Sequence, residues 1–344
     1  MPEPWLGGRM GDADWPVAWE ISAGAIRLEI ELGYPLRRSR AATAQTIRAA
    51  LLSAADEIPL EIILHSEIRA HPVQPSLQPL AGIANVIAVA SAKGGVGKST
   101  VAVNLALALA DEGARVGMLD ADIYGPSQPR MLGLSGHPRS DGKRLEPLAA
   151  FGLKVMSAGF LVDPATPMIW RGPMVTQALT QLLANTDWGE LDYLVVDMPP
   201  GTGDIQLTLA QRVPVAGAVI VTTPQEIAVA DARKGLAMFR KVEVPVLGIV
   251  ENMTGFRCPH CGEVSEIFGA GGGARLAEEA KVALLGRIPL DPRIQSAADG
   301  GAPSVAAEPE GDNARDYRAA ALKMAAVLAL RARAVSAGPE ISIE

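Results

Sequence analysis

The stretch Val86-Ile-Ala-Val-Ala-Ser91-Ala-Lys93-Gly94-Gly95-Val96-Gly97-Lys98-Ser99-Thr100-Val-Ala-Val-Asn-Leu-Ala-Leu-Ala-Leu-Ala110 decides the fold. An apolar run of strand length enters a glycine-rich loop, which opens directly into a helical stretch free of Gly and Pro. Glycines 94, 95 and 97 allow backbone N–H groups to curl round phosphate oxygens at a helix N-terminus. Lys98 has the reach for β- and γ-phosphates, and the Ser99 hydroxyl suits Mg2+. Val96 and Thr100 complete the loop. Ala92 stands where the strict pattern has glycine, so the assignment rests on the strand, loop and helix arriving in the required order. A chance Gly-Lys-Ser in a glycine turn would not carry that order.

Outward from this loop the same alternation continues. Short apolar runs at Arg115–Asp120, Tyr193–Asp197, Ala218–Thr222 and Val246–Val250 are separated by helical segments. Apolar strands interleaved with helices predict an α/β domain with a mostly parallel sheet covered on both faces, its ligands at the carboxyl ends of the strands. We place this domain at 83–335, with a tail at 336–344. Upstream, Ala25–Leu32 alternates apolar and charged residues like a half-buried strand, Ala41–Ala55 has helical spacing, and Leu60–Leu64 reads as a second strand. That order predicts a small α/β domain at 20–80, tethered by the proline-containing stretch 71–79. Residues 1–19, with three of the five tryptophans among Gly, Pro and Asp, read as a poorly specified leader.

Composition narrows the function classes. The 344 residues are 49% hydrophobic and 20% charged, as in ordinary globular chains, with a formal net charge of −7. That charge opposes broad attraction to nucleic acid or anionic lipid, so neither is expected as a partner. No apolar run approaches the roughly 18 residues of a membrane-spanning helix, and the start lacks a basic and an apolar signal region. The expectation is a cytoplasmic protein. The only cysteines, Cys258 and Cys261, lie in one tetrapeptide, which points to chemistry rather than to a disulfide framework.

Two carboxylates end predicted strands beside the loop. Asp122, in Asp120-Ala-Asp122, lies where it can orient an attacking water or support magnesium, and Asp197, in Asp197-Met-Pro-Pro-Gly201, ends a strand as a magnesium-shell carboxylate does. A lone Asp after a strand is commonly a cap. Several such strand ends in one domain with a phosphate loop favour the site. Lys93, a second lysine in the loop's first half, has little use within one subunit and suits a neighbour's nucleotide.

In Cys258-Pro-His-Cys261-Gly, a tight knuckle places two thiolates together with backbone N–H groups directed at sulfur, which suits Zn2+ or iron in a cluster. Two thiolates complete neither site, and a two-fold dimer supplies the missing pair. A zinc site completed by His260 and a redox disulfide stay open as alternatives. The segment from Glu263 onward reads as the return of a hairpin, which disfavours the thioredoxin-like helix a redox pair would open.

With its paired lysines the loop resembles those of the deviant Walker A ATPases. Together with Asp120-Ala-Asp-Ile-Tyr-Gly-Pro-Ser-Gln-Pro, Trp170-Arg-Gly-Pro-Met, Asp197-Met-Pro-Pro-Gly-Thr-Gly-Asp, Asn252-Met and the cysteine turn, the stretch 83–305 resembles the Mrp/ApbC family of iron–sulfur cluster carriers. The resemblance implies a P-loop NTPase fold and a homodimer in which Lys93 reaches the partner's phosphates. It further implies that Asp122 is the catalytic switch aspartate, Asp197 the magnesium-shell aspartate, Gly201 the switch glycine near the γ-phosphate, and Asn252 the residue whose amide reads adenine. ATP and Mg2+ are the implied cofactors. A [4Fe–4S] cluster held between two subunits by Cys258 and Cys261, and delivered to apo-proteins with the help of cluster-assembly factors, is the implied cargo. The segment 20–80 looks like the iron–sulfur assembly-factor module often fused ahead of these ATPases, with its first helix shortened or missing. The competing reading is a partitioning or positioning ATPase with a structural zinc knuckle, and the acidic end at Gly338–Glu344 offers no membrane anchor for it.

Overall fold

The computed structural model describes residues 5, 15–22, 25–52, 59–161, 172–258 and 260–336. An N-terminal unit comprises β1 (Val17–Ser22), β2 (Ala25–Leu32), α1 (Arg40–Leu52) and β3 (Leu60–Ser66). β1 pairs antiparallel with β2, and β2 pairs parallel with β3. Alternation along β2 buries Leu28, Ile30 and Leu32 under α1, where Ile47 is fully buried, and leaves Arg27 outside.

The large sheet follows. β4 (Ile83–Ala90) leads into α2 (Lys98–Asp111), then come β5 (Val116–Asp120), α3 (Gln128–Met131), β6 (Leu148–Ala150), β7 (Leu153–Ser157), α4 (Gly172–Asn185) and β8 (Leu191–Asp197). The second half contains α5 (Asp204–Arg212), β9 (Gly217–Thr222), α6 (Glu226–Lys241), β10 (Val246–Arg257), β11 (Val264–Ser265), α7 (Gly272–Ala280), β12 (Ala283–Leu290), α8 (Pro292–Asp299), α9 (Ser304–Ala307) and α10 (Asp312–Ser336). The order β10-β9-β4-β8-β5-β7-β6 places β4 centrally, with β12 parallel on the far side of β10. Every pairing is parallel except at β6 and β11, which matches the mostly parallel sheet expected from the apolar runs. Crossovers force helices onto both faces, so β9 is buried throughout and β8 at every position but Asp192, and α10 packs on α2 and β12.

Three differences from the sequence reading have physical causes. The leader boundary at residue 19 moves back: Trp15 is buried with its ring edge-on to Tyr34, 5.8 Å between centroids, and β1 starts at Val17. β1 was not legible because its apolar positions, Val17, Trp19 and Ile21, lie in a strand bordered by glycine and proline. β6, β7 and β12 join the expected five strands. The β6–β7 hairpin turns at Phe151 and Gly152 with φ of 50° and 82°, and a phenylalanine there gives no turn signal. β12 contains Gly286 and Pro289, which its edge position tolerates. Residues 1–4, 6–14, Trp170, Arg171 and the tail 337–344 lie outside the described residues. Among the described residues no helix is long and apolar enough to cross a membrane.

Candidate functional site: a phosphate loop and a thiol hairpin

The loop between β4 and α2 follows from its glycines. Gly95 and Gly97 sit at φ of 81° and 80°, a region closed to most side chains. A Cβ on Gly97 would lie 2.2 Å from Asn252 Nδ2, whereas nothing lies within 4 Å of the same position on Gly94 or Gly95. The loop is therefore backed by Asn252 on one side and open on the other, as a phosphate cradle requires. Ser91 Oγ donates to Lys93 O at 2.9 Å, and Gly201 N–H donates to Ser91 O at 2.9 Å. Gly201, at φ of 110°, thus stands against the loop. Lys93 is exposed, Thr100 half-buried and Val96 buried.

Lys98 is 6% exposed and forms an ion pair with the fully buried Asp197. It also donates to Ser99 Oγ at 3.2 Å. Asp197 Oδ2 accepts from Gln128 Nε2 at 2.9 Å, and the same nitrogen donates to Ser99 O at 3.0 Å. Asp120, fully buried one strand away, accepts from the N–H groups of Gln128 (3.1 Å) and Asp122 (3.2 Å) and from Ser157 Oγ (3.1 Å). Burial and the neighbouring Asp197 charge push the Asp120 carboxyl up to about 7, against the pull of those donors and Lys98. Burial also raises Asp122, which is half-buried and faces the Lys98 charge. The structure brings Lys98, Ser99, Asp122 and Asp197 together at one end of the sheet, with Gly94–Gly97 and Gly201 beside them.

Serine hydroxyl and carboxylate oxygens are hard donors of the kind Mg2+ selects, and the open side of the glycine loop leaves room for the phosphates that would complete its shell. These residues fit a magnesium nucleotide, with Ser99 and Asp197 as the protein's side of the metal. Gln128 and Ser157 were missed by sequence reasoning. Gln128 stands in the quoted Asp120–Pro129 run, but nothing in its spacing says that it ties Asp197 to the loop.

Asn252, buried on β10, donates from Nδ2 to Val96 O at 2.9 Å, so it is an integral wall of the loop. One residue earlier, the fully buried Glu251 accepts from Gly273 N–H (2.8 Å) and Arg287 Nε (3.1 Å), fixing β10 to α7 and β12. β10 then continues beyond the expected Val250 to Arg257. It passes through Met253 and Gly255 at φ of 59° and 56°, with shifts in its register against β12. The hairpin it forms with β11 pairs Phe256 with Ser265 and Arg257 with Val264. Cys258 and Cys261 occupy its tip, where Cys258 N–H donates to Glu263 O (2.8 Å) and Gly262 N–H to Cys258 O (2.9 Å). Both thiols are free, Cys258 half-buried and Cys261 exposed. The N–H groups of Cys261 and His260 point at the Cys258 sulfur and hold its thiol below the ordinary value. Among the described residues no group of three His, Cys, Asp or Glu side chains is placed to hold a metal ion. Among those residues the thiol pair has no third ligand grouped beside it.

Comparison with known proteins agrees with this geometry. Residues 82–325 match the ParA family described as NUBPL iron-transfer P-loop NTPase. The chain is 56% identical over 261 residues to the iron–sulfur cluster carrier protein of Pseudomonas fragi, covering 75% of this chain and 91% of the relative. It is 47% identical over 311 residues to the carrier of Haemophilus influenzae, covering 90% and 84%. Identity to the mouse iron–sulfur cluster transfer protein NUBPL is 54%, covering 71% of this chain and 77% of that one. Among solved structures, a nucleotide-binding protein of Archaeoglobus fulgidus in complex with ADP superposes with a TM-score of 0.60 at 41% identity, covering 69% of this chain and 91% of that one. The cell division ATPase MinD of Pyrococcus furiosus, at 23% identity with a TM-score of 0.54 and coverage of 70% and 98%, shares the fold. The strand–loop–helix, the buried lysine–aspartate pair and these similarities agree: the chain belongs to the ParA/NUBPL family of iron-transfer P-loop NTPases, among the iron–sulfur cluster carrier proteins.

Proposed function

We propose that this chain is an ATP-dependent carrier that holds a [4Fe–4S] cluster between two copies of itself through Cys258 and Cys261 and passes it to apo iron–sulfur proteins. The observation that carries the reading is the path of β10. One strand bears Asn252 against the phosphate loop and ends at the thiol pair. Two thiols per chain, with no third ligand grouped beside them among the described residues, suit a four-thiolate site completed by symmetry. The same observation disfavours a zinc knuckle closed within one chain.

On this reading the glycine-loop N–H groups and Lys98 bind the β- and γ-phosphates. Asp122 holds the attacking water and accepts its proton, a task that its raised proton affinity favours. Mg2+, when bound through Ser99 and Asp197, supplies charge neutralisation at the phosphates. Exposed Lys93 is free to reach the partner's nucleotide, and Gly201 follows the γ-phosphate. Asn252 lines the adenine side through its remaining amide oxygen. Hydrolysis is slow and serves cluster transfer, with apo-proteins and cluster-assembly factors as partners.

Anaerobic reconstitution with iron and sulfide tests the proposal. The expected result is a broad absorption band in the visible, iron for one cluster per dimer, and loss of both in Cys258→Ala. Zinc binding alone, or a cluster on a monomer, would overturn it.

A further inference from the structure

The first strand of the N-terminal unit, β1, is apolar at Val17, Trp19 and Ile21. Among the described residues β1 pairs only with β2, and no described strand lies on its other edge. Glu31 N–H donates to Pro16 O at 3.0 Å, and Val17 lies opposite Ile30. In an antiparallel ladder this alternation gives Ala18 and Glu20 the bonds to β2 and turns the N–H and C=O of Val17, Trp19 and Ile21 outward. The side chains of those three residues share the face of Leu28 and Ile30, yet they overhang the core: Val17 is 41% exposed, Trp19 69% and Ile21 63%. The strand's one charge, Glu20, is on the opposite face. An apolar edge of this kind is a template for strand addition.

We propose that β1 is a homotypic pairing edge, at which a second copy of this chain adds its own β1 antiparallel, with Trp19 opposite Trp19 of the partner subunit. The sequence around Trp19 selects both occupant and register. With Trp19 on the two-fold axis, Val17 faces Ile21 on either side, and all three outward-facing residues exchange their hydrogen bonds at once. Glu20 then lies opposite Ala18. Sliding the strands one step of the ladder one way sets Glu20 opposite Glu20, a like-charge contact. Sliding the other way sets Ile21 opposite Trp15, which is already buried in its own core. An isologous contact requires this self-matching about one residue. The result is a six-stranded sheet with the apolar overhangs of both chains filling one valley between the α1 helices.

This contact is independent of nucleotide and cluster, and it adds to the cysteine-bridged dimer proposed above. The test therefore uses Cys258→Ser/Cys261→Ser protein, metal-free and nucleotide-free, in sedimentation velocity. Dimers are expected, and adding Trp19→Lys is expected to weaken association at least tenfold without changing the far-ultraviolet circular dichroism, since Trp19 is mostly outside the core. In the same background Trp19→Cys is expected to oxidise to a disulfide-linked dimer, because hydrogen-bonded antiparallel partners lie about 5.5 Å apart at Cα, within disulfide range. Glu20→Cys is expected to cross-link poorly. A chain that stays monomeric in the double-serine background, a dimer untouched by Trp19→Lys, or equal cross-linking at positions 19 and 20 would each overturn the pairing. Larger species in the cluster-loaded wild type that collapse to dimers in Trp19→Lys would support it, and would show that the two interfaces have different axes. Cluster loading of Trp19→Lys tests the cysteine bridge separately, so either reading can fail alone.

Discussion

At Gly97 one hydrogen atom separates a working phosphate loop from a blocked one. Its φ of 80° costs a residue with a Cβ about 1–2 kcal/mol, and that Cβ would collide with the Asn252 amide. Gly97→Ala is expected to lower the unfolding free energy by at least this amount and to abolish ADP binding in calorimetry; unaltered binding would show that the loop adjusts. The Lys98–Asp197 pair calls for a different comparison. Removing the lysine leaves a fully buried carboxylate whose remaining side-chain donor is Gln128, at a cost of about 3–5 kcal/mol. Lys98→Met should therefore unfold at a clearly lower denaturant midpoint, and Lys98→Met/Asp197→Asn should recover most of the loss. If the double variant is as unstable as the single one, the buried charge is not the cause.

Among the elements, α8 offers a titratable cap. Asp291 caps the helix by accepting from Arg293 N–H at 2.8 Å, and the Arg293 guanidinium bonded to the carboxylate holds it at about 2, well below the ordinary 3.8. A depressed carboxylate gives stability that is present above its unfolded value and is lost as pH falls from about 4 towards 2. Asp291→Ala should cost about 1 kcal/mol at neutral pH and flatten the stability profile in that window, measured by urea titration; an unchanged acid limb would remove Asp291 as its source. The elements also show what a sequence reveals. β4 and α2 were legible because an uninterrupted apolar run, a glycine cluster and a helical run agree locally. The length of β10 was not, because Met253 and Gly255 break the strand pattern, and only long-range pairing with β12 and β11 carries it to Arg257. Of the candidate site, the glycine loop with Lys98 and Ser99, the carboxylates Asp122 and Asp197, and the two cysteines could be named from motif positions. Gln128, Ser157 and Glu251 could not, since their roles arise from strands and turns far apart in sequence meeting in space.

At the scale of the whole molecule, the N-terminal unit is clasped to the far end of the phosphate-loop helix. Arg37 donates to the carbonyls of Ala110 and Asp111 at the end of α2, and the fully buried Glu112 accepts from the N–H groups of Arg38 (2.9 Å) and Ser39 (3.0 Å) and from the Ser39 hydroxyl. Arg318 of α10 binds Asp111 at 2.8 Å in the same cluster. Glu112→Ala should cost about 1–3 kcal/mol by stranding these donors. It should also speed tryptic cleavage between residues 67 and 82 while leaving nucleotide affinity in place; cleavage at the wild-type rate would mean that the apolar contacts suffice. β10 makes the other long connection, and its counting has a consequence for what defines this protein. Alternate residues of a strand face opposite ways, and the two left-handed residues between Asn252 and Cys258 reset that parity. On the proposed function, one residue added or removed there would keep the phosphate loop and the cysteine turn yet direct the thiols to the opposite face of the strand. The interval is thus part of the grammar: a chain can spell both signatures correctly and still be unable to use them together.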